Sequence, residues 1–145
     1  MKKIGFLINP VAGMGGRVGL KGTDGKVKEA LKMGAKPVSF EKAKKTIECL
    51  KDYKNKMKIF TCSGEMGEKC LKDFDYEIVH NPPEKTTDED TKRVCRKFLE
   101  KNVDLIVFCG GDGTAKDVYD VVGTKLPIIG IPSGVKMHSA VFGLT

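Results

Sequence analysis

Leu105-Ile106-Val107-Phe108-Cys109 contains no polar side chain and opens directly onto Gly110-Gly111-Asp112-Gly113-Thr114. A run that is apolar at every position, rather than at alternate ones, suits a strand buried on both faces. Such strands belong to parallel sheets sandwiched between helices. The rest of the chain repeats the theme, with further short strand candidates at 4–8, 57–61, 76–79 and 127–131. Helical spacing lies between them. Val27, Ala30 and Leu31 form a brief stripe, Phe40, Ala43, Ile47 and Leu50 a longer one behind Ser39 as N-cap, and 66–71 is long enough for a short helix. Thr86 and Glu89 stand as a capping box ahead of Val94, Cys95, Phe98 and Leu99. Thr114 and Asp117 are spaced to cap a helix with Val118, Val121 and Val122 inward and Gly123 at its end. Strands alternating with helices predict an α/β fold with a mainly parallel sheet covered on both sides.

Composition bounds the function classes. The 145 residues, 40% hydrophobic and 31% charged, suit one globular domain. No apolar run approaches the ~20 residues that span a bilayer, and residues 4–8 are too short for a signal-peptide core. A cytoplasmic protein without membrane contact is expected. Five cysteines, at 49, 62, 70, 95 and 109, contain no CxxC pair and read as free thiols rather than as a disulfide framework or zinc site. The net charge of +7 is uneven, with 15 Lys/Arg against 5 Asp/Glu in residues 1–60 and 11 against 14 thereafter. Only three of the 26 basic residues are Arg and few aromatics interleave, so the lysines read as a solvated surface and nucleic acid is not an expected partner.

Ligands of parallel sheets bind beyond the carboxyl ends of the strands, and three strand ends carry unusual sequence. The first is Asn9-Pro10-Val11-Ala12-Gly13-Met14-Gly15-Gly16, the second 110–114, the third Gly130-Ile131-Pro132-Ser133-Gly134-Val135-Lys136. Neither the dinucleotide fingerprint nor GxxxxGK[ST] is present. By itself the first segment is also compatible with a tight turn. The second says more. Three glycines in four positions let backbone N–H groups approach an anion, and the following helix adds its positive N-terminus. Asp112 in the middle of that cradle would repel a bare phosphate. It makes sense as a ligand to a magnesium ion bridging phosphates or as the acceptor of a hydroxyl proton, the alternative being a turn cap.

The segment 110–114 resembles the signature of NAD kinases and the related diacylglycerol, sphingosine and phosphofructokinase enzymes, and Asn9-Pro10-x-Ala12-Gly13-x-Gly15-Gly16 is similar to the same superfamily. The stretch from Gly130 through Lys136-x-His138-Ser139-Ala140-Val141-Phe142, with Asp90-Thr91 and Asp117, resembles an archaeal and bacterial ATP-NAD kinase branch related to acetoin-catabolism-associated kinase-like proteins. The resemblance covers nearly the whole chain. It implies a Rossmann-like three-layer α/β/α fold and transfer of a phosphoryl group from ATP or polyphosphate to the 2′-hydroxyl of the adenosine ribose of NAD, with Mg2+ or another divalent metal. It implies a catalytic role for Asp112 at the acceptor hydroxyl, and nucleotide contacts from Gly110, Gly111, Gly113 and Thr114, with Asn9 and Gly13 near the donor phosphates. Lys136 is a candidate for neutralising phosphate charge, a surface lysine being the alternative, and His138 reads either as a substrate contact or as structural.

The resembling enzymes carry a second, β-rich domain that supplies much of the NAD pocket, and nothing in this sequence matches it. Residues 1–145 are therefore expected to be the N-terminal nucleotide-binding domain of a two-domain kinase, inactive alone, partnered by its C-terminal domain and homo-oligomeric at full length. Two other readings stay open: a nucleotide-binding regulatory module without turnover, and a lipid or small-alcohol kinase of the same superfamily.

Overall fold

The computed structural model describes residues 1–9 and 38–132. In chain order these form β1 (Lys2–Ile8), α1 (Val38–Cys49), a 3-10 segment (Lys51–Lys56), β2 (Met57–Cys62), two single 3-10 turns (Gly64–Met66 and Glu68–Cys70), β3 (Tyr76–His80), α2 (Asp88–Glu100), β4 (Leu105–Gly110), α3 (Asp112–Val122) and β5 (Ile128–Pro132). The five strands make one sheet in the order β3-β2-β1-β4-β5, parallel throughout. This is the expected Rossmann-like α/β architecture.

Period-two alternation along the central strands builds two cores, one on each face of the sheet. Phe6 and Ile8 of β1 and Val107 and Cys109 of β4 pack with Ala43 and Ile47 of α1 and with Leu71 and Phe74 of the β2–β3 connection. Leu7, Ile106 and Phe108 point the other way, onto Val94, Cys95 and Phe98 of α2 and Ala115, Val118 and Val122 of α3. Gly5 shares that second face. A Cβ there would lie 2.6 Å from the Phe98 ring, so the glycine is what lets α2 settle on β1.

Several local expectations shift. The capping box of α2 is Thr87 with Asp90 instead of Thr86 with Glu89, and the Asp90 carboxylate accepts the Thr87 N–H at 2.9 Å. Ser39 lies within α1 rather than capping it, because the helix already includes Val38. The segment at 66–71 breaks into 3-10 turns on either side of Gly67, where a Cβ would collide with Thr61 Oγ1, itself donating to the Phe6 carbonyl at 2.8 Å. The last strand begins at Ile128, and as an edge strand it leaves Ile129 45% exposed instead of burying its whole length. The stripe at Val27, Ala30 and Leu31 lies outside the described residues.

Candidate functional site at the switch point of the sheet

The chain builds β1, β2 and β3 outward in one direction, then returns to the other side of β1 to lay down β4 and β5. The described helix that follows β1, α1, packs on one face of the sheet and α3, which follows β4, on the other, so the carboxyl ends of β1 and β4 mark a switch point, the usual ligand position in such sheets. Asn9 and the 110–114 segment lie at that point. The Asn9 N–H donates to the Cys109 carbonyl at 2.8 Å, continuing the β1–β4 ladder, and Asn9 Nδ2 donates to Thr114 Oγ1 at 3.0 Å. Two segments more than a hundred residues apart are thus tied side chain to side chain.

The three glycines of the motif differ in their physical reasons. Gly110 ends β4 beneath Thr114, and a Cβ on it would stand 2.5 Å from Thr114 Oγ1 and 2.6 Å from Thr114 Cβ. Its smallness serves packing inside the protein. Gly111 is the N-cap of α3 in extended conformation, and its carbonyl accepts the Ala115 N–H at 3.0 Å. Gly113 sits in the first turn of α3, is exposed, and has no atom within 4 Å of where its Cβ would be. Nothing among the described residues requires glycine there, although glycine in a helix costs about 1 kcal/mol relative to alanine. An open face at this point leaves room for something outside the described residues to approach the backbone closely.

Starting α3 at Asp112 rather than at Thr114 changes the chemistry of its end. Thr114 does not cap the helix through Asp117; it lies buried in the first turn and meets Asn9. The N–H groups of Asp112, Gly113 and Thr114 have no intrahelical acceptor, and the helix dipole adds partial positive charge at the same place. Half-buried Asp112 stands at the head of that positive end. Gly13, Lys136, Ser133 and His138 lie outside the described residues.

Two further carboxylates lie on α2 and α3. Asp117 has its carboxyl raised above the ordinary value by burial and by the neighbouring Asp88 charge. Asp90 behaves oppositely: burial alone would raise it, but hydrogen bonds from His80 and from the Thr87 N–H prevail and hold it low. His80 ends β3 and places Nε2 3.0 Å from Asp90 Oδ1. The sequence reading missed this histidine. Its one signal was a position at the end of a strand just before Asn81-Pro82-Pro83.

Four of the five thiols are buried. Cys49 is exposed, and burial pushes Cys70 up to about 11, Cys95 and Cys109 up to about 12, and Cys62 higher still. Among the described residues no group of three or more His, Cys, Asp or Glu side chains is arranged to hold a metal ion. Asp112 alone fits a Mg2+ held chiefly by phosphate oxygens, since that ion commonly binds through one or two carboxylates plus phosphates and water.

The family model of the ATP-NAD kinase N-terminal domain matches residues 4–145. The chain belongs to that family. No curated protein and no solved structure matches it. Membership accounts for the parallel sheet and supports a kinase-type function generally. Among the described residues of this ATP-NAD kinase domain, no helix is long and apolar enough to cross a membrane.

Proposed function

We propose that this chain is the nucleotide-binding domain of an NAD kinase, transferring a phosphoryl group from ATP or polyphosphate to the 2′-hydroxyl of the adenosine ribose of NAD. The observation that carries the reading is the placement of Asp112 at the positive end of α3, beside the Asn9–Thr114 hydrogen bond at the switch point. Phosphoryl transfer asks a protein mainly to position reactants and to balance charge. The N–H groups of the first turn of α3, which have no intrahelical acceptor, suit phosphate oxygens, and the open face of Gly113 admits them. Asn9 and Gly110 act from beneath by fixing Thr114, and Gly111 by starting the helix. Gly13 and Lys136 are proposed contacts to the donor phosphates.

Asp112 is the proposed proton acceptor. The 2′-oxygen forms a bond to the transferred phosphorus as the bond to the donor's bridging oxygen breaks, the hydroxyl proton passes to the Asp112 carboxylate, and the shortened donor leaves. A Mg2+ ion, for which Asp112 is the candidate ligand among the described residues, would supply positive charge that neutralises the phosphates. The family is defined by an N-terminal domain, which supports a second domain completing the NAD pocket. Residues 1–145 alone are then expected to bind nucleotide weakly and to make negligible NADP.

The test is Asp112→Asn in the enzyme together with its C-terminal domain. Turnover should fall by about 10²-fold or more, within the range of general acid–base effects, with thermal stability nearly unchanged. Near-normal turnover at saturating magnesium and NAD would reduce Asp112 to a turn residue and remove the central group of this reading.

A further inference from the structure

His80 reaches Asp90 only through an irregularity in the sheet. Phe60 and Cys62 of β2 belong to the core under α2 and α3, and Thr61 alternates to the other face. On β3, Glu77 pairs with Phe60, Ile78 with Thr61 and His80 with Cys62, so Val79 is an extra residue. In regular pairing Val79 would stand opposite Cys62, and His80 would turn to the α1 face. The bulge instead puts His80 on the α2 side, with Nε2 3.0 Å from Asp90 Oδ1. Bulges are rare in parallel pairs, and they commonly re-aim a side chain beside a functional site.

The contact fixes the chemistry of the imidazole. Asp90 is held low and is therefore an ionised acceptor, so Nε2 carries the proton of the shared hydrogen bond. In the neutral ring Nδ1 then keeps its lone pair, and no described residue bonds to it. The side chain is 15% exposed, so part of it meets solvent. Its surroundings are acidic, because Asp88, Glu89 and Asp90 form the first turn of α2. They disfavour an anion and suit an uncharged O–H or N–H donor.

Position narrows the donor. His80 ends β3 at the carboxyl edge of the sheet, the edge that also carries Asn9 and the 110–114 segment. Three strand spacings separate β3 from β4, about 14 Å at ~4.8 Å each. A group that meets Asp112 cannot also meet His80, but the remote half of an extended dinucleotide can. Gly64 follows β2 and so stands between the two, and nothing lies within 4 Å of where its Cβ would be. We propose that His80 Nδ1 accepts a hydrogen bond from the second nucleoside of a dinucleotide whose first ribose lies at Asp112. The donor is a hydroxyl of the second ribose or the carboxamide of the second base. This role rests on the NAD kinase reading of the switch point, and it gives the chain a residue that tells a dinucleotide from a mononucleotide.

The experiment is calorimetric binding to the enzyme together with its C-terminal domain, with no phosphoryl donor present so that nothing turns over. The probes are NAD, its analogue with a carboxylate in place of the carboxamide, and ADP. His80→Gln keeps an N–H for Asp90 but offers no acceptor in place of Nδ1. It should weaken NAD binding about three- to tenfold, the loss of one hydrogen bond. ADP affinity and Tm should stay nearly unchanged, which a purely structural histidine would not predict. If the carboxylate analogue binds parent and variant alike, the donor is the carboxamide; if it shows the same loss as NAD, the donor is the ribose. A loss of less than threefold for NAD, or an equal loss for ADP, overturns the role of His80 while NAD binding by the parent still supports the kinase reading. A parent enzyme that does not bind NAD overturns both.

Discussion

Alanine at Gly110 and alanine at Gly113 are one methyl group each, three residues apart in a single motif, and should move stability in opposite directions. At Gly110 the new Cβ would be 2.6 Å from Thr114 Cβ, against the 3.4 Å at which ordinary contact begins, so the first turn of α3 must give by about 0.8 Å. Rotating the Thr114 side chain cannot relieve this, because the clash includes its Cβ. Overpacking of this kind costs about 1–3 kcal/mol, and losing the Asn9–Thr114 hydrogen bond adds about 1 kcal/mol. At about 2–4 °C per kcal/mol for a domain of this size, Gly110→Ala should lower Tm by roughly 4–16 °C. Gly113 has empty space around its missing Cβ and no positive φ. Gly113→Ala should therefore gain about 0.5–1 kcal/mol from helix propensity and from a less flexible unfolded chain. Tm should rise by about 1–4 °C, while nucleotide affinity falls, because the methyl group occupies the face proposed for phosphate. Circular dichroism melts and an ATP titration of both variants check the pair. A Gly113→Ala protein that melts lower than the parent, or a Gly110→Ala protein that melts with it, would refute the packing argument. Unchanged ATP affinity in Gly113→Ala would refute the proposed phosphate face.

Other outcomes follow from the same geometry. Asp90 is held below its ordinary carboxyl value, so its contribution to stability is present above the unfolded carboxyl pKa of about 3.9 and is lost as pH falls through the lower folded one. Asp90→Asn should be less stable than the parent by about 1.5–3 kcal/mol at pH 7, with the difference narrowing in denaturant titrations below about pH 4. An undiminished gap at low pH would mean that the loss is steric. Ellman titration of the native protein should find one fast thiol, the exposed Cys49, and all five only in denaturant; rapid reaction of a second thiol would show that one of the four buried cysteines opens readily. Asp112→Asn, as set out above, should separate turnover from folding.

Much of the architecture is legible from residues a few positions apart. The unbroken apolar run at 105–109, the helical stripe ending at Leu99 and the strand candidates near 57 and 76 depend only on local period, and local period is what decides strand against helix. The same holds for the motif at 110–114 and for the family it points to. Element ends were less legible, because a cap is decided by which of two neighbouring residues finds its partner. Thr87 with Asp90 prevailed over Thr86 with Glu89, and Asp90 in that position also meets His80 from another element.

Only the tertiary structure decided which strands became neighbours. Strand order is a non-local choice, made by burial of both faces against α1 on one side and α2 and α3 on the other. That order seats β4 beside β1, and with it Thr114 beside Asn9 across 105 residues of chain. It also separated the roles of two glycines that look alike in sequence: Gly110 is small because Thr114 lies on it, whereas Gly113 is small over open space. The motif pointed to a kind of site, and the pairing of β1 with β4 determined where the motif stands in the fold.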